Sequence, residues 1–270
     1  MIRDIRIALV VCRSVLGDTP ANLVRMEKWT AAAARQGAEI ICFPELCITG
    51  YHVREAIRSA AQPLPGPASD HIRAMADKHG ICILAGLAEI CEDRLFATHL
   101  LVKPEAGLSA VYRKLHLGPP EKTHFTPGQE IPPLPEARGL CLGIHLCYDA
   151  HFPELSTAMA AKGADIIFMP HASPGKNAEE KLASWMRHLP ARAFDNGVYV
   201  AAVNAVGDNG SGLYFPGVAA LISPAGEILH SYTGEQENML IADLSARELS
   251  AVREHPMKYF LPNRRPELYK

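Results

Sequence analysis

A layered α/β fold with mixed sheets is what this chain predicts, and three observations carry it. Short runs of branched apolar residues alternate with segments of helical periodicity through residue 203. Glycine or proline punctuates most of the junctions. In the middle and the tail, apolar runs follow one another across turn signals, which adds antiparallel pairs to an otherwise parallel pattern.

Taken in order, residues 5–11 read as a buried strand rich in branched side chains. Thr19-Pro20 marks a helix start, with Thr as N-cap and Pro in the first turn. Leu23, Met26, Thr30, Ala33 and Ala34 form one helical face, and Gly37 ends it. A strand over 40–43 stops at Pro44. A second helix over 68–79 stops at Gly80 and leads into a strand over 81–87. Residues 95–102 and 109–112 read as paired strands. Residues 140–146 form a continuous apolar strand running into Cys147. A helix over 153–162 ends at Gly163, before a strand over 165–169. Another, spanning 179–194, ends at Asn196-Gly197 ahead of a strand over 198–203. Residues 218–222 and 228–232 make a hairpin across Ser223-Pro224-Ala225-Gly226. No linker divides the chain, and Pro132-Pro133-Leu134-Pro135 is too short for a boundary, so residues 1–270 read as one domain.

Composition narrows the function. The net charge is −2 with both signs interspersed, and no basic block or aromatic-interleaved lysine stripe points to nucleic acid. The start, Met1-Ile2-Arg3-Asp4-Ile5-Arg6, lacks the layout of a signal peptide, and no apolar run approaches membrane-spanning length. The seven cysteines are odd in number and scattered, with no CxxC pair. That argues against a disulfide framework or a zinc site and for a reducing, cytoplasmic compartment.

Three residues at the ends of apolar strands can do chemistry together. Glu45, flanked by Phe43, Leu46 and Ile48, is a desolvated carboxylate whose raised pKa suits a base. Lys114 ends a strand in Tyr112-Arg113-Lys114-Leu115-His116-Leu117. Cys147 stands where the chain turns from strand to helix, beside backbone N–H groups able to form an oxyanion hole. Each has an ordinary reading when taken alone: a helix cap for Glu45, an exposed side chain for Lys114, another core cysteine like Cys141 for Cys147.

The set Phe43-Pro44-Glu45-Leu46, Tyr112-Arg113-Lys114-Leu115-His116-Leu117 and Cys147-Tyr148-Asp149 with Phe152-Pro153-Glu154 resembles the nitrilase, or carbon–nitrogen hydrolase, superfamily. Gly163-Ala164-Asp165-Ile166-Ile167, the stretch from Arg192 to Val200, and Arg264-Arg265-Pro266-Glu267-Leu268-Tyr269 resemble further family segments, in family order. The resemblance implies a four-layer αββα sandwich with two mixed β-sheets and a Glu45–Lys114–Cys147 triad. It also implies a second glutamate, for which Glu121 ahead of Phe125 and Pro127-Gly128 fits the pattern; the other reading is a solvated loop charge. In the implied chemistry, Cys147 attacks an amide or carbamoyl carbon, Glu45 moves the proton, and Lys114 with the Tyr148 N–H stabilises the oxyanion. No metal or organic cofactor is expected. The partner is a small-molecule amide or carbamoyl compound, and the chain is expected to form a homodimer or larger homo-oligomer, with residues from about 255 to 270 as an extended arm.

Some positions depart from the family. Several relatives carry Arg where this chain has His151, so a substrate carboxylate loses a bidentate partner and neutral or amine-bearing substrates are expected. His171 takes a position where relatives usually have a small or hydroxylated residue; it either lines the pocket or faces solvent. His145, two residues before Cys147, is read as a core histidine rather than a base. Tyr148-Asp149 is more like amidase and carbamoylase branches than true nitrilases, which commonly carry Trp-Glu. The alternatives are a nitrilase, an amide acyltransferase, or a non-catalytic scaffold that kept the fold.

Overall fold

The computed structural model describes residues 1–268. The last two positions of the expected arm, Tyr269 and Lys270, lie outside the described residues. The strands are β1 (Ile5–Val11), β2 (Ile40–Cys42), β3 (Cys82–Cys91), β4 (Arg94–Lys103), β5 (Gly107–Arg113), β6 (Glu136–Ala137), β7 (Leu140–Ile144), β8 (Ile166–His171), β9 (Tyr199–Asn204), β10 (Gly207–Asp208), β11 (Tyr214–Phe215), β12 (Gly217–Ile222), β13 (Ile228–Gly234) and β14 (Asn238–Leu244). One six-stranded sheet has the order β14-β1-β2-β3-β4-β5 and a second the order β13-β12-β9-β8-β7-β6. Both are mixed. β1, β2 and β3 run parallel, as do β7, β8 and β9, and the outer pairings are antiparallel.

The period-2 alternation of the central strands explains the layering. Ile7, Leu9, Ile40, Cys42, Cys82 and Leu84 of the first sheet share one core with Leu142, Ile144, Val200 and Ala202 of the second. The intervening residues, Ala8, Val10, Ile41, Ile83 and Ala85, point outward into a separate cluster with Leu23, Met26, Ile72 and Met75. Those four come from α1 (Thr19–Arg35) and α3 (Pro67–His79), which cover the first sheet. A short helix, α2 (Ala56–Ala60), lies between them in sequence. The second sheet is covered by α4 (Pro153–Ala161), α5 (Ala178–Trp185) and α6 (Leu189–Phe194), through Leu155, Met159, Trp185 and Leu189. The result is the expected αββα sandwich.

The differences from the sequence reading have local causes. Asp18, not Thr19, caps α1 by accepting from the Ala21 N–H at 3.2 Å. The helix expected over 179–194 is two helices. Pro190 lacks the N–H a continuous helix would need and sits instead in the first turn of α6. β14 and α7 (Ala246–Arg253) were not anticipated. β14 pairs with β1 from Ile5↔Leu244 to Val11↔Asn238, a partnership between the two ends of the chain. Among the described residues, no helix is long and apolar enough to cross a membrane.

Candidate active site

The site forms where strand ends of the two sheets meet, and each side chain is placed by backbone that has left regular structure. Glu45 follows β2 on a segment strapped to β3: the Phe43 N–H donates to the Leu84 carbonyl and the Ile48 N–H to the Gly86 carbonyl, both at 2.9 Å. Gly86 is required there, because a Cβ would stand 2.5 Å from the Leu46 backbone nitrogen. Lys114 follows β5. The Gly128 N–H donates to its carbonyl at 2.8 Å, and a Cβ on residue 128 would meet the Arg113 carbonyl oxygen at 2.5 Å. Glu121 ends the 3-10 turn Pro119–Glu121, which the Gly118 N–H closes by donating to Glu121 Oε2 at 2.6 Å.

These elements bring three charges together. Lys114 is 1 % exposed, and its ammonium donates to Glu45 Oε1 at 2.8 Å and to Glu121 Oε1 at 2.7 Å. Glu45 Oε2 accepts the Ala172 N–H at 3.0 Å, which ties the first sheet's carboxylate to the end of the second sheet's β8. Glu121 Oε1 also accepts the Tyr51 hydroxyl at 3.1 Å. Burial pushes Glu45 up to about 7, and the like charge of Glu121 adds to it against the opposing pull of Lys114. Burial disfavours the Lys114 charge, but Glu45, Cys147 and Glu121 outweigh it and hold the ammonium well above its ordinary value. Glu121, open to a reading as a solvated loop charge, is instead buried against Lys114.

Cys147 opens the 3-10 turn Cys147–His151, with His145 and Leu146 between it and the end of β7, and has φ at +44°. A non-glycine residue in that left-handed region is strained, and the surroundings must hold it there. Asp149 does so. It is fully buried, and its two oxygens accept four bonds: the His116 N–H at 2.8 Å and His116 Nδ1 at 2.9 Å on one, the Tyr112 hydroxyl at 2.8 Å and the Leu146 N–H at 3.0 Å on the other. Burial works against the Asp149 charge, but His116 and His145, then the Leu146 N–H and the Tyr112 hydroxyl, hold the carboxyl below its ordinary value. The thiol of Cys147 is pushed up to about 12, first by burial and then by Glu45, with Lys114 opposing and further pulls from Glu121 (up) and Lys181 (down). It is a protonated thiol at neutral pH and needs a base to become a nucleophile.

The other expected positions separate. Tyr148 is the second residue of the 3-10 turn, at the end where backbone N–H groups have no partner within the turn. His171 does not face solvent. It is the last residue of β8 and 3 % exposed; Nδ1 lies 2.7 Å from the Met169 carbonyl oxygen, and the ring packs on Trp185 at 4.4 Å. Burial lowers it to about 3, so it is neutral. His151 is exposed at the end of the turn, its ring 4.5 Å from that of His188, and partial desolvation followed by the Arg192 charge lowers its pKa. His145 is buried and pushed down to about 4 by that burial. Because Cys147 lies past the strand end in a left-handed conformation, strand alternation does not carry from His145 to it. No hydrogen bond joins the two among the described residues.

The roles of three participants were missed by sequence reasoning. Those of Asp149 and Tyr51 are legible only through partners far along the chain. Lys181 of α5 sits behind an unremarkable stretch, 178–185, yet its charge reaches the Cys147 thiol. Among the described residues, no cluster of histidine, cysteine and acidic side chains could hold a metal ion.

Known proteins share the fold and close to a third of the aligned sequence. The chain is 30% identical to a nitrilase of Pyrococcus abyssi, over 98% of this chain and 99% of that one. It is 29% identical to an (R)-stereoselective amidase of a Pseudomonas species, over 92% and 88% of the two chains. The crystal structure of an amidase from a Nesterenkonia species superposes with a TM-score of 0.85 at 31% identity, covering 98% of this chain and 95% of that one. A mutant of that amidase carries the acetamide moiety of fluoroacetamide on its active-site cysteine. The sequence profile of the carbon-nitrogen hydrolases matches residues 6–254, and the chain is therefore a hydrolase belonging to the carbon–nitrogen hydrolase family of the nitrilase superfamily.

Proposed function

We propose that the chain cleaves the C–N bond of small linear amides or N-carbamoyl amines through a thioester on Cys147, releasing ammonia or an amine. The observation that carries this reading is the buried Lys114 held between Glu45 and Glu121, beside a thiol that is protonated at neutral pH. Glu45, raised to about 7, is a base poised near neutral pH to take that proton as sulfur attacks.

The steps follow from the positions. Glu45 takes the Sγ proton as sulfur attacks the carbonyl carbon, and the C=O pair moves to oxygen. The resulting oxyanion is met by the third N–H of Lys114, whose other two are engaged by the glutamates, and by the Tyr148 backbone N–H. The C–N bond breaks as nitrogen takes the proton from Glu45, and ammonia or amine leaves. Glu45 then takes a proton from water as the hydroxide attacks the thioester. Collapse expels the thiolate, which recovers that proton. Glu121 holds Lys114 in place and offers an acceptor to the substrate N–H. The acetamide adduct on the cysteine of the Nesterenkonia amidase supports a nucleophilic cysteine at this position of the fold.

The amide preference rests on Tyr148-Asp149, which is more like amide-cleaving branches, and on the two glutamates, which offer acceptors to the N–H groups of an amide or ureido group but nothing to a nitrile. The test is ammonia release from matched primary amide, ureido and nitrile compounds. Turnover of amide or ureido compounds ahead of the nitrile is expected, and a clear nitrile preference overturns the assignment. We place the enzyme in the cytoplasm, as a homodimer or larger homo-oligomer, on the unpaired cysteines and on exposed Phe194, Met257 and Phe260.

A further inference from the structure

We propose that Lys181 is the specificity-determining residue of this site and selects substrates that carry a carboxylate at the end remote from the scissile amide or carbamoyl group. This deepens, and rests on, the reading of Cys147 as the nucleophile of an amide-cleaving centre.

The placement of Lys181 carries the inference. Lys181 and Trp185 are four apart on α5 and share one helix face. Trp185 packs on His171, the last residue of β8, so that face is turned toward the strand end that holds Ala172 against Glu45. The Lys181 ammonium donates to Ser173 Oγ at 2.7 Å and to the Pro174 carbonyl at 3.1 Å, one and two residues beyond Ala172. Its charge acts on the Cys147 thiol and on His171. Glu45, Lys114, Glu121, His171 and Trp185 are buried, whereas Cys147, Tyr148, Ser173 and Lys181 keep part of their surface open. Lys181, like the nucleophile, therefore keeps accessible surface that the buried charges lack.

Its partners leave it incomplete. An ammonium has three N–H groups, and two go to neutral oxygens. No carboxylate lies within ion-pair distance of it among the described residues, unlike Lys114, which has two. A half-buried cation without a counter-ion is costly, and burial lowers its pKa accordingly. With Glu45 and Glu121 ionised, those two and Lys114 sum to one net negative charge, which repels an anion; Lys181 brings the sum to zero. A substrate carboxylate supplies a charged acceptor for the third N–H and the opposite charge that no protein side chain provides among the described residues. His151 cannot do this: its pKa is lowered, so it is neutral at pH 7. The preference for neutral substrates expected from His151 is thereby reversed.

The test compares succinamate with butyramide, which differ in the terminal carboxylate, in the wild type and in K181M. The wild type is expected to favour succinamate in kcat/KM. In K181M the succinamate-to-butyramide ratio should fall by about tenfold or more, the loss of one charge-assisted hydrogen bond, with the change in the KM for succinamate. Independently of any variant, succinate should inhibit the wild type more strongly than butyrate. A wild-type preference for butyramide, an unchanged ratio in K181M, a change confined to kcat, or equal inhibition by the two acids overturns the role of Lys181 while leaving the amidase reading intact. Turnover by the wild type of neither amide and of no matching ureido compound overturns the reading of Cys147 as the nucleophile of an amide- or carbamoyl-cleaving centre, and this inference with it.

Discussion

Asp149→Asn tests whether the elbow that presents Cys147 is held by a single buried carboxylate. The substitution keeps size and shape but turns one acceptor oxygen into a donor. Placed at the Tyr112–Leu146 side, the new NH2 meets a hydroxyl that can rotate to accept and a Leu146 N–H that cannot. Placed at the His116 side, it meets an Nδ1 that can accept in the other tautomer and a His116 N–H that cannot. Either way one backbone donor is stranded against the buried side chain, and the remaining bonds lose their charged acceptor. A bond to a charged group is worth about 1.5–3 kcal/mol, so we expect a loss of roughly 2–4 kcal/mol. The assay is urea unfolding at fixed protein concentration and pH 7. The sign with pH follows from the depressed carboxyl. Its stabilisation is fully present above the unfolded value of about 3.9 and is lost as pH falls through the lower folded value. The gap between the two proteins should therefore be complete at pH 7 and close only in acid. Turnover should fall with stability, because the Leu146 N–H, one residue from the nucleophile, loses its charged acceptor in either orientation. A variant within 1 kcal/mol of wild type and fully active refutes this account of the elbow.

Three further outcomes follow from the buried charges and the surface. Lys114→Met should lose about 10²–10³ or more in kcat, as expected for an oxyanion donor. It should also unfold more easily by about 3–5 kcal/mol at neutral pH, because Glu45 and Glu121 are left buried without their cation; the deficit should shrink in acid, where the carboxylates can take protons, and equal stability at pH 7 would count against the buried cluster. The acid limb of kcat/KM should have its midpoint near the Glu45 value of about 7, with activity falling as pH drops and the base is protonated; a flat profile between pH 5 and 8 contradicts Glu45 as base. Sedimentation at micromolar concentration should give a dimer or larger species, and a monomer contradicts the homo-oligomer.

The parts legible in the sequence were those that local pattern encodes. The strands β1, β3, β8 and β9 announce themselves by branched apolar runs, and Glu45, Lys114 and Cys147 stand at strand ends within motifs that keep family order. What stayed hidden depends on contacts across the chain. β14 holds only a short apolar run, over 239–242, set between polar and charged residues, and its pairing with β1 is what makes it a strand. Asp149 is legible as part of a motif, but its work as the buried acceptor for the turn shows only when Tyr112 and His116 converge on it. Lys181 looks like a surface helix residue, because nothing near it in sequence shows that α5 turns its face toward Ala172. Glu121 could be matched to a pattern, but only its bond to Lys114 distinguishes it from a solvated loop charge.

The central claim is that Cys147 forms the covalent intermediate, and it can be read directly by mass. The wild-type protein is quenched in acid during turnover of a slow primary amide, digested, and its seven cysteine-bearing positions are mapped by tandem mass spectrometry. The account predicts an acyl group on Cys147 that disappears on further incubation and is absent in Cys147→Ser. An acyl group on another cysteine, or steady ammonia release from Cys147→Ala, would contradict it.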